Sequence, residues 1–424
     1  MNRSVPSKFH PTIAVCIALG VLTLCFQHSL ANSVGGGKQY TDYDVHETIW
    51  SRKLPQLKLI LAKQPELARF VRERGKGEGP DTSLCIAASQ GWIEGGELLL
   101  KYGAPVDAGN PPPLVNAAGR GNDAFVRLLL AHKANINATG SDKQTALHEA
   151  IRFGHRETAK LLLQQGAKSD IFVDAGLGRT DVVAAALKSD ATLATKRGAR
   201  QETLLHWAAA SNVPAMAELL LARQANINAR DSESQTPLDV AITVRANEMV
   251  AYLLGKGADF KTTGVSAKGA DFADGHSGTW RSVETSLETA VRANNIPAAK
   301  LLLARGAKVN HKGIDGATPL ALTAILGSVE MAKLLIDSGA AINSMDDEHT
   351  PRINDSLAPS VTLWTPLHWA AYEGRLDMVK ILVEHKANIN ARSSKTSGEQ
   401  TPLAVARGLK HTLVVNYLVQ HGGK

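Results

Sequence analysis

The strongest constraint on this chain is that it repeats itself. The fragments Thr145-Ala146-Leu147-His148, Thr236-Pro237-Leu238, Thr318-Pro319-Leu320 and Thr365-Pro366-Leu367-His368 are copies of one motif, each followed by a Leu-rich run and a Gly-Ala or Ala doublet. Taking the leucine of each copy as a phase marker gives 84, 114, 147, 171 (an isoleucine), 205, 238, 287, 320, 367 and 403, with a base step of 33 residues. A period of this size belongs to a stack of supersecondary units and not to a single globular core. About eleven such units account for most of the 424 residues without globular domain boundaries.

Each unit can be read from its residues. In Thr365-Pro366 the proline sets φ for a first helical turn, and the threonine hydroxyl can satisfy backbone groups that a helix start leaves open. A short inner helix follows over Leu367 to Glu373, with small Ala370 and Ala371 that let a neighbouring unit approach, and Gly374 breaks it. The outer helix, Leu376 to Glu384, places Met378, Val379, Ile381, Leu382 and Val383 three and four apart along one face. That face is buried only if units stack. The unit then closes on Gly-Ala-x-Val/Ile-Asn, where glycine takes the left-handed conformation that ends the helix. Lys133, Gln224 and Lys386 stand in the glycine position of three copies, so those units are expected to be weaker by about 1 kcal/mol.

A 33-residue unit with the pattern T-P-L-H-x-A resembles the ankyrin repeat, and the resemblance covers roughly residues 43 to 424. It implies an all-α solenoid of helix-turn-helix units joined by hairpin loops. It also implies that His148, His206 and His368, at the fourth motif position, make structural hydrogen bonds within and between units. Cys85, Val115, Phe172, Asp239, Glu288, Ala321 and Ala404 take that position elsewhere, so no constant metal-ligand set is built. With no H-E-x-x-H, C-x-x-C, G-x-S-x-G or glycine-rich phosphate loop, neither an enzyme nor a cofactor is expected. Trp207 and Trp369 follow the histidines and read as core.

The resemblance also implies where a partner would sit. The two residues before the inner-helix glycine, with the hairpin, match the family's usual contact positions on the concave face. Here those positions include Arg120, Arg152, Phe153, Val244, Ile325, Leu326 and Tyr372. An unoccupied solvent face would be polar at such sites, whereas aromatic and Arg anchors are what interfaces enrich. Cover by long inserts folding back is the alternative. The expected function is therefore a non-enzymatic scaffold for a protein partner. With 47 basic and 40 acidic residues interspersed, a net charge of +7 and few aromatics, nucleic acid is not expected.

Departures from the period locate further features. The 49-residue step from 238 to 287 carries an insert at 261–284 that contains Trp280, and the 47-residue step from 320 to 367 carries one at 344–363 with Asp346, Asp347 and His349. Both fall in the hairpin part of the unit, where insertions often mark the binding face, so Trp280, Asp346 and Asp347 are candidate contacts. They would also be the place for an unusual enzyme site. The 24-residue step from 147 to 171 almost deletes a hairpin, which predicts a kink or change of curvature near residues 168–178. On this reading a first sub-array spans 43–170 and a second 171–424.

The first residues are of another kind. Arg3 and Lys8 precede an uncharged apolar stretch from Thr12 to Phe26, followed by Ser29-Leu30-Ala31. That order reads as a signal peptide over 1–31 with a flexible leader at 32–42, and places the protein outside the cytoplasm, secreted or periplasmic. The stretch is 15 residues long, short of the ~20 that span a bilayer. An uncleaved segment acting as a membrane tether is the alternative, and only then would a membrane be a partner. Removal of the segment would leave Cys85 as the sole cysteine of three, so stability would rest on stacking alone.

Overall fold

The computed structural model describes residues 39–72, 81–140, 142–261, 285–313, 316–346, 363–393 and 400–424. Helices come in pairs, a short inner one and an outer one that is longer in every pair but one. The pairs are α1 (Asp42–Trp50) with α2 (Leu54–Lys63), α3 (Ser83–Gln90) with α4 (Ile93–Lys101), α5 (Pro113–Gly119) with α6 (Asp123–Ala131), and α7 (Ala146–Arg152) with α8 (Arg156–Gln164). They continue as α9 (Ile171–Gly176) with α10 (Thr180–Ser189), α11 (Leu204–Ser211) with α12 (Pro214–Leu221), and α13 (Pro237–Thr243) with α14 (Asn247–Gly255). These seven pairs belong to one compact unit, Ala31–Ala258. A second, from Asp259 to Lys424, holds α15 (Ser286–Arg292) with α16 (Ile296–Ala304), α17 (Pro319–Leu326) with α18 (Val329–Asp337), α19 (Pro366–Tyr372) with α20 (Leu376–Glu384), and α21 (Pro402–Gly408) with α22 (Thr412–Gln420). The only paired strands among the described residues, β1 (Val71–Arg72) and β2 (Asp81–Thr82), are antiparallel and two residues long.

Stacking follows from the caps and the apolar spacing. Six inner helices start with a reciprocal capping box in which the residue three places into the helix reaches back to the N-cap backbone: Asp44, His148, His206, Asp239, Glu288 and His368. A neutral imidazole nitrogen and a carboxylate oxygen do the same work there, which is why the motif tolerates the exchange. Outer helices bury one stripe each, as in α20 with Met378, Val379, Ile381 and Leu382. Burying one such side chain stabilises by about 1.5 to 3 kcal/mol, available only against a neighbouring unit. Lys133, Gln224 and Lys386 do adopt left-handed φ values of 64°, 62° and 68°, the conformation that Gly306 and Gly339 take in their copies. Among the described residues no helix is long and apolar enough to cross a membrane.

The shortened step has a specific form. Asp170 is the N-cap of α9, accepting from the backbone N–H groups of Phe172 and Val173. Phe172 therefore holds the motif's leucine slot and Val173 the histidine slot, one residue later than the isoleucine phase marker implied. An Asp side chain caps as well as Thr, so sequence alone did not reveal the shift. Gly176 ends α9 where a Cβ would collide with Ile151 of α7 and would lie 3.4 Å from Trp207 of α11. Its bare backbone lets the inner helices on either side draw in. The two units that end without Gly-Ala close instead in 3₁₀ turns, Pro65–Arg69 and Ala191–Thr195, with Ala68 and Ala194 buried.

Candidate protein-binding surface

Around the shortened step the hairpins ahead of α7, α11 and α13 meet over α9. Arg200, from the hairpin before α11, lies 3.0 Å from Glu149 Oε1 on α7, and its Nε donates to Asp142 Oδ2 at 2.8 Å. Gln144 Nε2 donates to Glu202 Oε1 at 3.2 Å, and Arg152 at the end of α7 pairs with Glu233 of the next hairpin at 2.5 Å. Arg156 donates to the Ser211 carbonyl at 2.7 Å. Burial raises the Glu149 carboxyl above its ordinary value, and Arg200 offsets part of that rise. Burial alone would lower the Arg200 guanidinium, but Glu149 and Asp142 carry it above its ordinary value. These pairs enclose a small cavity of about 30 Å³ lined by Gln144, Arg200, Glu202, Trp207 and Val240 among others. Of the charged and amide groups in these pairs, only Arg152 was singled out from the sequence. The signal that could have found them is the shortened step itself, which brings hairpins two units apart into register.

The predicted concave-face residues fall at the C-terminal ends of inner helices. In the first compact unit Phe153 is half-buried beneath Arg152, whose guanidinium carbon lies 5.5 Å from the ring centroid. A Cβ on Gly154 would lie 3.0 Å from the Cβ of Val244, and one on Gly119 3.7 Å from the Phe153 ring. Arg152, Phe153 and Val244 thus form one half-buried row, with Arg120 exposed next to Gly119. In the second compact unit Ile325 and Leu326 are half-buried at the end of α17. Arg375 donates to the Ile325 carbonyl at 3.4 Å. Tyr372 sits 5.3 Å from Trp364 and 6.1 Å from Trp369, centroid to centroid, and its carbonyl accepts from His411 Nε2 at 2.9 Å.

Other candidates are placed differently. Asp346 is buried and turned inward: it accepts from the Trp364 backbone N–H at 2.5 Å and from Trp369 Nε1 at 3.2 Å, while its own N–H donates to the Trp364 carbonyl at 3.0 Å. Its carboxylate is used up in bracing the neck of the insert. Trp280, Asp347 and His349 lie outside the described residues. Trp207 is buried, whereas Trp369 is only half-buried.

The three motif histidines are consumed by the fold. In each, Nδ1 accepts from the N-cap backbone N–H, at 3.3 Å in His148, 3.1 Å in His206 and 3.2 Å in His368. Nε2 of His206 and His368 then donates to the carbonyls of Gln235 and Gln400 in the next unit, both at 3.0 Å. Burial pushes both rings down to about 4, so they are neutral. His148 Nε2 meets Asp170 Oδ2 at 3.1 Å, bonding into the α9 cap instead. No group of three or more His, Cys, Asp or Glu poised to hold a metal occurs among the described residues. Cys85 takes the histidine slot of α3, buried within 3.5 Å of the Ala108 carbonyl.

Comparison with known proteins agrees with this geometry. The family described as ankyrin repeats (3 copies) matches residues 84–173, 171–263, 287–393 and 351–424. The chain is 26% identical to the E3 ubiquitin-protein ligase KEG of Arabidopsis thaliana over 343 residues, 72% of this chain and 20% of that protein. It is 28% identical to human Rabankyrin-5 over 297 residues, 60% of this chain and 25% of that protein. It thus spans a quarter or less of either relative's length. Among solved structures, the ankyrin repeat domain of Bcl-3 is similar over 60% of this chain and 98% of that one, at 22% identity and a TM-score of 0.45. With the family matched over most of its length and the motif residues placed where the repeat needs them, this chain belongs to the ankyrin-repeat family.

Proposed function

We propose that this protein is a non-enzymatic scaffold that binds a partner protein through the inner-helix ends and hairpin edge of its ankyrin stack. The observation that carries this reading is the row Arg152, Phe153 and Val244. A guanidinium lies over an aromatic ring, with an aliphatic side chain packed against the adjacent Gly154, and all three are half-buried, whereas the motif histidines are buried and bonded within the fold. Half-exposed aromatic and Arg side chains are the usual anchors of interfaces. The test is affinity capture with the array as bait, comparing the parent protein with Phe153→Ala. A partner retained by the first and lost by the second, with both proteins folded, supports the reading.

Export is part of the same proposal, since the basic start, short apolar stretch and Ser29-Leu30-Ala31 occur in the order of a signal peptide. The capture is therefore made from the extracytoplasmic fraction. Mass spectrometry of the native protein should find its N-terminus after Ala31. An intact residue 1–31 segment would favour the tethered form, with the same binding chemistry.

A further inference from the structure

We infer that Arg375 is the anchor for an acidic side chain of a partner polypeptide, one whose Asp or Glu stands next to an apolar residue. The inference rests on the protein-binding reading for the source of the carboxylate and on the geometry around Arg375 for its recognition. Arg375 follows the left-handed Gly374, in a slot whose side chain bonds back to the preceding inner helix. Neutral side chains do that work elsewhere: Asn122 donates to the Ala88 carbonyl at 2.8 Å, and His411 to the Tyr372 carbonyl at 2.9 Å. Arg375 makes the same bond at greater length, from Nη2 to the Ile325 carbonyl at 3.4 Å, so its positive charge is surplus to the stack. The other arginine in this slot, Arg179 after Gly178, has a carboxylate of its own, donating to Asp174 Oδ1 at 2.8 Å from five residues along the chain. Five residues before Arg375 stands Ala370, which is buried and carries no charge. Among the described residues no carboxylate pairs with Arg375.

The guanidinium is both held and reachable. A Cβ on Gly327 would lie 3.2 Å from each of its Cζ, Nε and Nη1 atoms, so the plane rests flat on bare backbone at the end of α17. Nε is shut off from solvent without a partner, while Nη1, which also has none, stays open to it. A cation placed this way has lost water without gaining a counter-ion. An incoming carboxylate supplies one through charge-assisted hydrogen bonds to Nη1 and to the second proton of Nη2, an end-on pairing that an ammonium or a neutral amide cannot match. Ile325 and Leu326, just before Gly327, and Tyr372, three residues before Arg375, are half-buried, so the acidic residue is expected to bring an apolar neighbour with it. A phosphate dianion fits less well. Phosphorylated segments are taken by clusters of arginines, and the slots on either side of Arg375 hold Ser328 and His411.

The test is a ¹H–¹⁵N NMR titration of the full-length protein with three capped dipeptides: acetyl-Leu-Glu-amide, acetyl-Leu-Gln-amide and acetyl-Leu-phosphoserine-amide. The signal read is the Arg375 Nε–H resonance, kept observable by the burial of Nε and identified by its loss in Arg375→His. The Glu dipeptide should shift it saturably, and the Gln dipeptide should bind about tenfold more weakly or worse, as loss of a charge-assisted hydrogen bond gives. In Arg375→His, which installs the residue that fills the slot at 411, the backbone signals of Ile325 and Tyr372 should no longer respond to the Glu dipeptide. Should that variant not fold, the signal is assigned by conventional side-chain experiments and the three dipeptides on the parent protein still decide. No saturable shift with the Glu dipeptide, or an equal one with the Gln dipeptide, overturns the anchor. Tighter binding of the phosphoserine dipeptide overturns the carboxylate in favour of a phosphorylated partner. No partner protein is in the tube and Phe153 belongs to the other compact unit, so failure here leaves the scaffold reading standing, and failure of capture does not alter the titration.

Discussion

Arg200 pairs with Glu149 at 3.0 Å across an entire repeat, since α9 and α10 lie between them in the chain. Both are largely buried, with side chains 22% and 10% exposed. Arg200→Ala would leave the Glu149 carboxylate buried among Asp142 and Glu233, which already help to raise its pKa. Removing one partner of a buried pair typically costs about 3 to 5 kcal/mol, and partial exposure puts this case at the low end, about 3 kcal/mol. Urea denaturation checks it. A loss under about 0.5 kcal/mol, the usual surface effect, would mean the pair does not brace the hairpins ahead of α7 and α11.

Acid should weaken both compact units through His206 and His368. Each ring is neutral in the fold with a pKa of about 4, against 6.5 for a free side chain. The unfolded chain thus binds more protons between those values. The stability from keeping the rings neutral is complete above pH 6.5, falls as pH drops, and levels off below about 4. Each contributes roughly 3 kcal/mol over that window. Thermal melts from pH 7 to pH 4.5 should show the loss, reduced in His368→Gln. An unchanged pH slope in that variant would count against the assignment.

Glycine should stabilise where the repeat lacks it. Lys386 and Gln224 sit at φ 68° and 62°, a conformation that costs a side chain about 1 to 2 kcal/mol. Lys386→Gly regains this less the extra freedom of the unfolded chain, a net gain of about 0.5 to 1 kcal/mol. Gly306→Ala, at φ 84° with open space around it, should lose stability through backbone strain alone. Chemical denaturation of both variants reads the two signs.

Binding and folding should separate at Phe153 and His368. Phe153→Ala is expected to lower partner affinity by more than about 1 kcal/mol, as anchors do. Its half-burial keeps the stability cost below the about 3 to 5 kcal/mol of a core Phe. His368→Ala should do the reverse. Calorimetric binding alongside thermal melts distinguishes them, and a Phe153 variant that loses stability but keeps its partner would place the interface elsewhere.

What could be read in advance tracks the range of the interaction. Motif, period and caps are local, so the helix pairs and the structural use of His148, His206 and His368 were legible in single units. The left-handed Lys133, Gln224 and Lys386 were legible for the same reason. The one-residue shift at α9 was not, because Asp170 caps in place of threonine. Neither was the Arg200, Glu149 and Asp142 cluster, whose members are 51 and 58 residues apart and meet only because Gly176 lets α7 and α11 draw in. Asp346 stood at the edge of an insert and read as a surface contact. Its partners, the Trp364 backbone and the Trp369 indole, appear only once the insert's two ends are side by side.

That neck has a bearing on how the repeat array can change over evolutionary time. Asp346 and Trp364 exchange backbone and side-chain hydrogen bonds, so the two ends of the intervening stretch are tied together before any of it is counted. Once the ends of a loop are fixed, doubling its length costs only about 0.6 kcal/mol in closure entropy. Sequence between residues 347 and 362 can therefore lengthen, shorten or be exchanged for an unrelated segment while α17 through α20 keep their register. The neck makes this position a natural splice point for displaying a foreign peptide on the array.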